Sequence, residues 1–263
     1  MPNAAEPSPR RAIFITGAGS GIGLATARRF RREGWFVGGV DRNPTAVAAL
    51  SAELADDGLA AVLDVTDREA FRAALDRFAA ASGGRLDVLF NNAGIGGGGP
   101  FVDMAWEEVR ALVEINLVAV LSGIHLAWPL LKATPGSLCV STSSSSAIYG
   151  MANIAVYSAT KHAVKGLTEA LAVEFAAHGV RAADTLPGVI DTPLIPRDLA
   201  ATVPKQGPWR LIPPDAVADA IWRAYHASKL HWYVPEELHA LDIAQTQDPE
   251  GRRDEMIAGG GLF

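Results

Sequence analysis

The sequence predicts a three-layer α/β fold, a doubly wound parallel sheet with helices on both faces. Three observations carry that expectation. Short apolar runs alternate with longer helix-patterned stretches from residue 12 to about residue 190, as βαβ units and parallel strands require. Within the longer stretches apolar residues recur at spacings of three and four, the period of a helix with one buried face. The first apolar run leads straight into a glycine-rich turn, and an Ala- and Arg-rich helical stretch follows. At 263 residues the chain is long for one domain but within the range of α/β units with a large core.

The elements follow in order. The first strand is AIFIT (12–16), and the helix after it is marked by Ile22, Ala25, Ala27 and Phe30 and closed by Gly34. WFVGGV (35–40) is the second strand and LAAVL (59–63) the third, with Gly58 at the join. Asp67 stands where a cap belongs, before EAFRAALDRFAAA, whose Phe71, Ala74, Leu75 and Phe78 form one stripe. LDVLF (86–90) and SLCVS (137–141) read as the fourth and fifth strands. A helix beginning near Ala155 carries Val164, Leu167, Leu171 and Phe175, and Gly179 separates it from VRAADTL (180–186), the sixth strand. Beyond about residue 190 the texture changes. Prolines and a PKQGPW segment break the period from Pro193 to Pro214, which reads as a mobile loop able to serve as a lid. A helix from about Asp215 to Ser228 and a last strand in HWYVP (231–235) are expected next, whereas the polar stretch from Asp242 to Glu255 and the terminal GGGLF have no clear pattern. The domain is thus expected over 12–240, with a tail at 1–11 and an extension at 241–263.

Composition narrows the function. Apolar residues make up 49% and charged residues 20%, which fits a globular chain rather than a disordered one. A formal net charge of -6, with no lysine or arginine run, argues against nucleic acid as a partner and leaves small molecules. The single cysteine, Cys139, lies between Leu138 and Val140 and reads as a buried strand thiol, which suits a reducing compartment such as the cytoplasm. Residues 1–11 lack the apolar core of a secretory leader. The longest apolar stretch, Ala111 to Leu131, is broken by Glu114, Asn116 and His125, so it reads as a buried or interface helix and not a membrane span. No metal-ligand pattern stands out.

The amino-terminal half carries the marks of a dinucleotide site. TGAGSGIG runs from Thr16 to Gly23, and such a turn lets backbone approach a pyrophosphate while a helix N-terminus offers free N–H groups. The common G-x-G-x-x-G spacing fails at Ile22, leaving Gly17, Gly21 and Gly23, with Gly19 and Ser20 between. Asp41 ends the second strand, 24 residues beyond Gly17, where a carboxylate can accept from an adenosine ribose and repel a 2'-phosphate. That favours NAD over NADP, although adjacent Arg42 could pair with such a phosphate. Asp64 could bond the adenine amino group with Val65 as a wall, or simply cap a turn. LFNNAGIGGGG (89–99) ends the fourth strand in amides and glycines. In a parallel sheet ligands lie beyond the carboxyl ends of the strands, so Asn91 and Asn92 are expected on the cofactor side.

The chemistry centres on Tyr157 and Lys161, four residues apart in YSATK, with Ser144 thirteen residues before the tyrosine in STSSSS. The spacing alone decides nothing, because Tyr225 and Lys229 repeat it; there, however, the residue thirteen earlier is Ile212, and the second pair reads as ordinary helix surface. A phenol with a pKa near ~10 is a poor base at neutral pH. A lysine one helical turn away can stabilise the phenolate.

Together TGAGSGIG, the DV of Asp64 and Val65, NNAG, Asn116, Ser144, YSATK and PGVIDT (187–192) resemble the short-chain dehydrogenase/reductase family, over about residues 12–195. The resemblance implies a Rossmann-like sheet of seven strands, a nicotinamide cofactor, and hydride transfer to or from an alcohol or ketone carbon. Carried over residue by residue, it makes Tyr157 the general acid/base, with Lys161 supporting it, Ser144 orienting substrate, and Asn116 holding a helix kink and a proton-relaying water. It assigns the cofactor to Gly17, Gly19, Ser20, Gly21, Ile22, Gly23, Asp41, Arg42, Asp64, Val65, Asn92, Ala93, Gly94, Tyr157, Lys161, Pro187, Gly188, Val189 and Thr192. Val189 backbone and the Thr192 hydroxyl would hold the carboxamide, while Asp191, less usual there, reads as a cap of the next helix. A homodimer or homotetramer is implied through helices around 101–133 and 157–178.

The family's closing V-D-G-G segment is absent, so the substrate end is open. Ala147 to Asn153, the glycines 96–99 and the loop 193–214 should frame the pocket, and Ile148, Tyr149, Met151, Leu194, Trp209 and Leu211 suggest an apolar alcohol or ketone. Two other functions stand beside the dehydrogenase. A nucleotide-sensing protein that lost its chemistry would typically lack the Tyr or Lys, and an isomerase or dehydratase would show no net turnover of NAD(H).

Overall fold

The structure, a computed structural model, describes residues 10–259. Residues 1–9 and 260–263, which hold most of the expected tail and of the GGGLF segment, lie outside the described residues. Seven parallel strands form one sheet in the order β3-β2-β1-β4-β5-β6-β7. They are β1 Ala12–Thr16, β2 Phe36–Asp41, β3 Gly58–Val62, β4 Val88–Asn91, β5 Leu138–Thr142, β6 Arg181–Pro187 and β7 His231–Val234. The order reverses between β1 and β4, the switch point where α/β sheets open a crevice at their carboxyl ends.

Strands β2, β4, β5 and β6 each run one residue past the apolar runs, to Asp41, Asn91, Thr142 and Pro187. At Asp41, Asn91 and Thr142 the backbone ladder continues after the side chains have turned polar, which puts functional groups at those strand ends. HWYVP does form the last strand, pairing with β6.

Along β1 the side chains alternate, as a pleated strand demands. Ile13 and Ile15 join Phe30, Leu50, Phe90 and Ile221 in one core, whereas Ala12 and Phe14 join Phe71, Phe78, Leu89 and Val164 in the other. The first core is closed by α1 (Gly21–Arg32), α2 (Pro44–Leu54) and α8 (Pro214–Tyr225). The second lies under α3 (Arg68–Ala81), α5 (Ala119–Ala133) and α6 (Ala155–Ala176). Phe71, Ala74, Leu75 and Phe78 are all buried, and Asp67 caps α3 by accepting from the Glu69 and Ala70 N–H groups. Phe14 and Phe78 meet edge to face, their centroids 5.2 Å apart. Each such fully buried ring contributes roughly 1.5–3 kcal/mol over an exposed one.

The long apolar stretch is a helix in three parts, α4 (Trp106–Val113), a π-type turn Glu114–Val118, and α5. By length and composition Trp106–Ala133 could cross a membrane. In the fold its Ala119, Val120, Gly123, Ile124, Ala127 and Leu131 are buried.

Four expectations change. Arg10 and Arg11 are not tail: Arg10 donates to Gly34 O and Asp57, and the Arg11 guanidinium lies over Trp35 and Tyr225. The 193–214 loop contains α7 (Arg197–Thr202), and its Ile212 forms a parallel bridge with Ile190 before it. The segment after residue 235 forms two helices, α9 (Leu238–Gln247) and α10 (Pro249–Gly259). Asp242 of α9 accepts from Lys165 Nζ at 2.7 Å and the Tyr233 hydroxyl at 2.6 Å. That pairing ties the extension to α6 and β7. Finally, Tyr225 and Lys229 are not a shared helix face, because α8 ends at Tyr225 and Lys229 pairs with Glu236 beyond it. Tyr225 packs edge to face on Trp35 and donates to Asp87 at 3.1 Å. Asp87 also holds Arg85 and the Ala12 N–H, so Tyr225 pins the amino ends of the strands, far from their functional ends.

Candidate active site

The glycine turn after β1 leads into α1 at the switch point. Gly17 has φ +67°, and a Cβ there would sit 2.9 Å from Ala93 Cα. A Cβ on Gly23 would fall on the Gly17 carbonyl. The turn therefore works only without side chains, and it brings strand ends β1 and β4 together. Ser20, at the head of α1, makes no side-chain cap, and the first turn holds no acidic residue. The N–H groups of Gly21, Ile22 and Gly23 are thus left for an anion, which the helix dipole favours. This cradle fits the pyrophosphate of a dinucleotide.

Asp41 reaches into it. Its Oδ2 accepts from Gly19 N–H at 2.9 Å and its Oδ1 from Asn43 N–H at 2.9 Å. Arg42 is exposed, and its charge helps hold Asp64 below the usual carboxylate range, behind the larger effect of hydrogen bonds from Thr66. Asp64 lies past the end of β3 and binds Thr66 N–H and hydroxyl. It is a turn residue at the rim. Val65 lines a small cavity with Thr16, Ala93 and Ile115.

The two amides of NNAG are both engaged within the protein. Asn91 is buried and donates to Ser141 of the neighbouring strand at 3.4 Å. Asn92 donates to Thr16 O at 3.0 Å and Gly17 O at 3.2 Å. Its side chain is a strap on the glycine turn. Thr16 completes the strap by accepting from the N–H groups of Asn92 and Ala93, both at 3.0 Å. Sequence reasoning quoted Thr16 only as the head of the turn; a hydroxyl at a buried strand end is the feature that marks its role.

Across the crevice lies the segment after β6. Pro187 ends the strand in register with Val234, and Gly188 N–H donates to Val234 O. Val189 O accepts from Ile212 N–H, so only its N–H remains for a ligand. Thr192 lies against Gly21, its Cγ2 2.8 Å from where a Cβ would be. Asp191 does not cap a helix: it is exposed, and α7 begins six residues later behind Pro196.

The catalytic candidates converge. Asn116 sits in the π turn, fully buried. Its amide is spent on one backbone, with Oδ1 accepting from Ile95 N–H at 2.9 Å and Nδ2 donating to Ile95 O at 3.0 Å. The wide turn lets this side chain reach the loop after β4, which is the kink expected of it. Gly94 stands between Asn116 and Lys161, its Cβ position 3.1 Å from Asn116 Oδ1 and 3.7 Å from Lys161 Nζ. Ser144 follows β5 and accepts from Ser146 N–H at 3.1 Å. Tyr157 lies in the first turn of α6, where Ser144 is near enough to draw its phenol pKa down.

Lys161 lies one turn further, only 4% exposed, with Nζ donating to Thr142 O at 2.9 Å and 5.5 Å from the Tyr157 ring centroid. Ser143, passed over in the serine run, donates to the Lys161 carbonyl at 2.9 Å and locks α6 to the end of β5. Burial pushes the lysine ammonium down to about 8. Burial also raises the phenol, with Ser144 pulling the other way. The expected lowering of the phenol by Lys161 is therefore not the dominant effect: desolvation is. Among the described residues no cluster of three His, Cys, Asp or Glu could hold a metal.

Beyond Ser144 the pocket wall is apolar. A cavity is lined by Ser145, Ile148, Tyr149, Met151 and Trp209, closed by Gln245, Arg252 and Met256 of α9 and α10. Leu194 packs against Gly96 instead, 3.3 Å from its Cβ position, and Leu211 is not in the lining.

A family model described as short chain dehydrogenase matches residues 11–201. The chain is 38% identical to a cis-4-hydroxycyclohexanecarboxylate dehydrogenase of Sinomonas cyclohexanicum, over 92% of this chain and 98% of the relative. It is 37% identical to a cyclohexanol dehydrogenase of an Acinetobacter species, over 90% of this chain and 95% of the relative. Among solved structures, a 3-ketoacyl-(acyl-carrier-protein) reductase from Brucella melitensis complexed with NADH superposes with a TM-score of 0.77 at 28% identity, covering 85% of this chain and 96% of that one.

Proposed function

The chain belongs to the short-chain dehydrogenase family and is a nicotinamide-dependent oxidoreductase acting on alcohols and ketones; we propose that it oxidises a cyclic secondary alcohol with NAD, using Tyr157 as acid/base. The observation that carries the site assignment is the convergence of Tyr157, Ser144 and the buried Lys161 at the carboxyl ends of β5 and the start of α6. The ring substrate is supported by the apolar lining of Ile148, Tyr149, Met151 and Trp209, and by the substrates in the names of the two relatives.

Residues 17–23, Asp41 and the Val189–Thr192 segment would hold the cofactor, which accepts hydride when bound and, oxidised, carries a positive ring charge. Ser144 positions the substrate hydroxyl at the Tyr157 phenol. In oxidation the Tyr157 phenolate would take the substrate hydroxyl proton while Ser144 holds that oxygen, and the bound cofactor would supply the acceptor for the hydride leaving the carbinol carbon; reduction would be the reverse. Since burial raises the phenol, the proton-donating form dominates at neutral pH and oxidation should speed up as pH rises. Asn116 is spent on the Ile95 backbone, so its task is to position the loop beside Lys161.

NAD is preferred over NADP because the Asp41 carboxylate stands at the Gly19 end of the cradle. Pairing of protomers into a dimer or tetramer is supported by exposed Val118 and Leu121 near α5 and Val173 on α6. A cytoplasmic setting is supported by the lone buried thiol of Cys139. The test of the reading is a screen of purified protein with NAD or NADP against cyclohexanol, open-chain secondary alcohols and their ketones, followed at the reduced nicotinamide band. Absence of net turnover with every ring alcohol would overturn it.

A further inference from the structure

The cavity beyond Ser144 holds two orphaned polar groups in an apolar wall. Arg252 Nε and Gln245 Oε1 are both buried without a hydrogen-bond partner, and both residues line that cavity with Ile148, Tyr149, Met151, Trp209 and Met256. An unpaired buried donor on a guanidinium is costly, and charged donors the more so. The remaining contacts of Arg252 do not answer it: Nη1 donates to Glu255 at 3.3 Å, and Glu255 is 72% exposed, so that pair is weak.

As it stands the cavity has room for about one water, the space a carboxylate oxygen would take. The cavity runs from Ser145, the residue after Ser144, to Gln245 of α9 and Arg252 and Met256 of α10. The extension is held there by Asp242, through Lys165 and Tyr233, and by the Tyr149 hydroxyl, which donates to Pro249 O at 3.4 Å.

We propose that Arg252 is a specificity-determining residue that binds a carboxylate on the end of the substrate ring remote from the reacting hydroxyl. A carboxylate accepts two N–H bonds from one edge of a guanidinium, the edge that carries Nε. A half turn of the Gln245 amide would add its NH₂ as a further donor. The chemical class is thus a small hydroxy- or oxo-cycloalkane carboxylate. A neutral ring alcohol would leave Arg252 unpaired and gain only the apolar wall. The inference rests on the ring-alcohol reading above and refines it.

The test compares wild type, Arg252→Met and Arg252→Lys. The ratio of kcat/KM for cis-4-hydroxycyclohexanecarboxylate to that for cyclohexanol should fall roughly 10- to 100-fold in Arg252→Met, the span of a lost charged hydrogen bond. Arg252→Lys, which keeps the charge but not the fork, should restore part of it. Calorimetry of cyclohexanecarboxylate binding to NAD-saturated protein gives a readout without turnover, and Arg252→Met should weaken it by a similar factor. An unchanged ratio, or no cyclohexanecarboxylate binding by wild type, would overturn the assignment of Arg252 while leaving the dehydrogenase reading intact. Binding that depends on Arg252, with turnover of neither alcohol, would uphold the carboxylate site and overturn the ring-alcohol reading instead.

Discussion

Replacing Lys161 by methionine should abolish turnover and, at neutral pH, make the protein more stable. The ammonium is 4% exposed, and burial moves it from 10.5 to about 8. At roughly 1.4 kcal/mol per unit, keeping that proton inside the folded protein costs about 3 kcal/mol at pH 7. Methionine retains most of the stem and carries no charge, but it loses the donor to Thr142 O, a penalty of about 1 kcal/mol. The net gain of about 2 kcal/mol corresponds to a rise in Tm of about 4–8 °C for a chain of this size.

The pH dependence has a definite sign. Below about pH 8 the lysine is protonated in both folded and unfolded protein, so the cost is constant. Between about 8 and 10.5 the unfolded chain still holds a proton that the folded protein has released. Wild-type stability therefore climbs with pH, and the advantage of the variant shrinks across that window. Differential scanning calorimetry of both proteins from pH 6.5 to 10 measures it. A variant that melts lower at pH 7, or a gap that stays the same across the window, would refute the argument that burial of the ammonium is a cost borne for function.

Other outcomes follow from the same geometry. Tyr157→Phe should lower kcat by about 10²–10⁴-fold while NAD affinity by calorimetry changes little, since only the proton-transfer hydroxyl is lost; undiminished turnover would discard Tyr157 as the acid/base. Asp41→Ala should remove repulsion of a 2'-phosphate and narrow the preference for NAD over NADP on the order of tenfold, and equal ratios in both proteins would show that Asp41 does not read the ribose. Cys139, whose thiol burial pushes up to about 12, should resist iodoacetamide at pH 8 in the native protein and react only on unfolding; rapid native alkylation would contradict its place in the core. Light scattering should report a dimer or tetramer, and a monomer at assay concentration would remove the pairing of α4–α6 faces.

Much of this protein was legible along the chain because its local periods agree with its fold. Alternating apolar runs marked all seven strands, the last included, and the stripe Phe71, Ala74, Leu75 and Phe78 named the buried face of α3 correctly. Ser144, Tyr157 and Lys161 could be picked by spacing plus company, since a helix brings residues four apart onto one face. Three-dimensional packing decided what those residues experience. Desolvation, which depends on everything around a group, raises the phenol and lowers the ammonium where sequence reasoning looked only at their mutual attraction. Packing also decided where amides go: Asn92 answers carbonyls on Thr16 and Gly17, 76 and 75 residues away in the chain, and Tyr225 turns inward to Asp87 across a separation of 138. The polar stretch after residue 241 had no period to read. Only the fold shows that Asp242 anchors it and that Arg252 then closes the pocket, because the partners that give those side chains meaning are supplied by distant strands and loops.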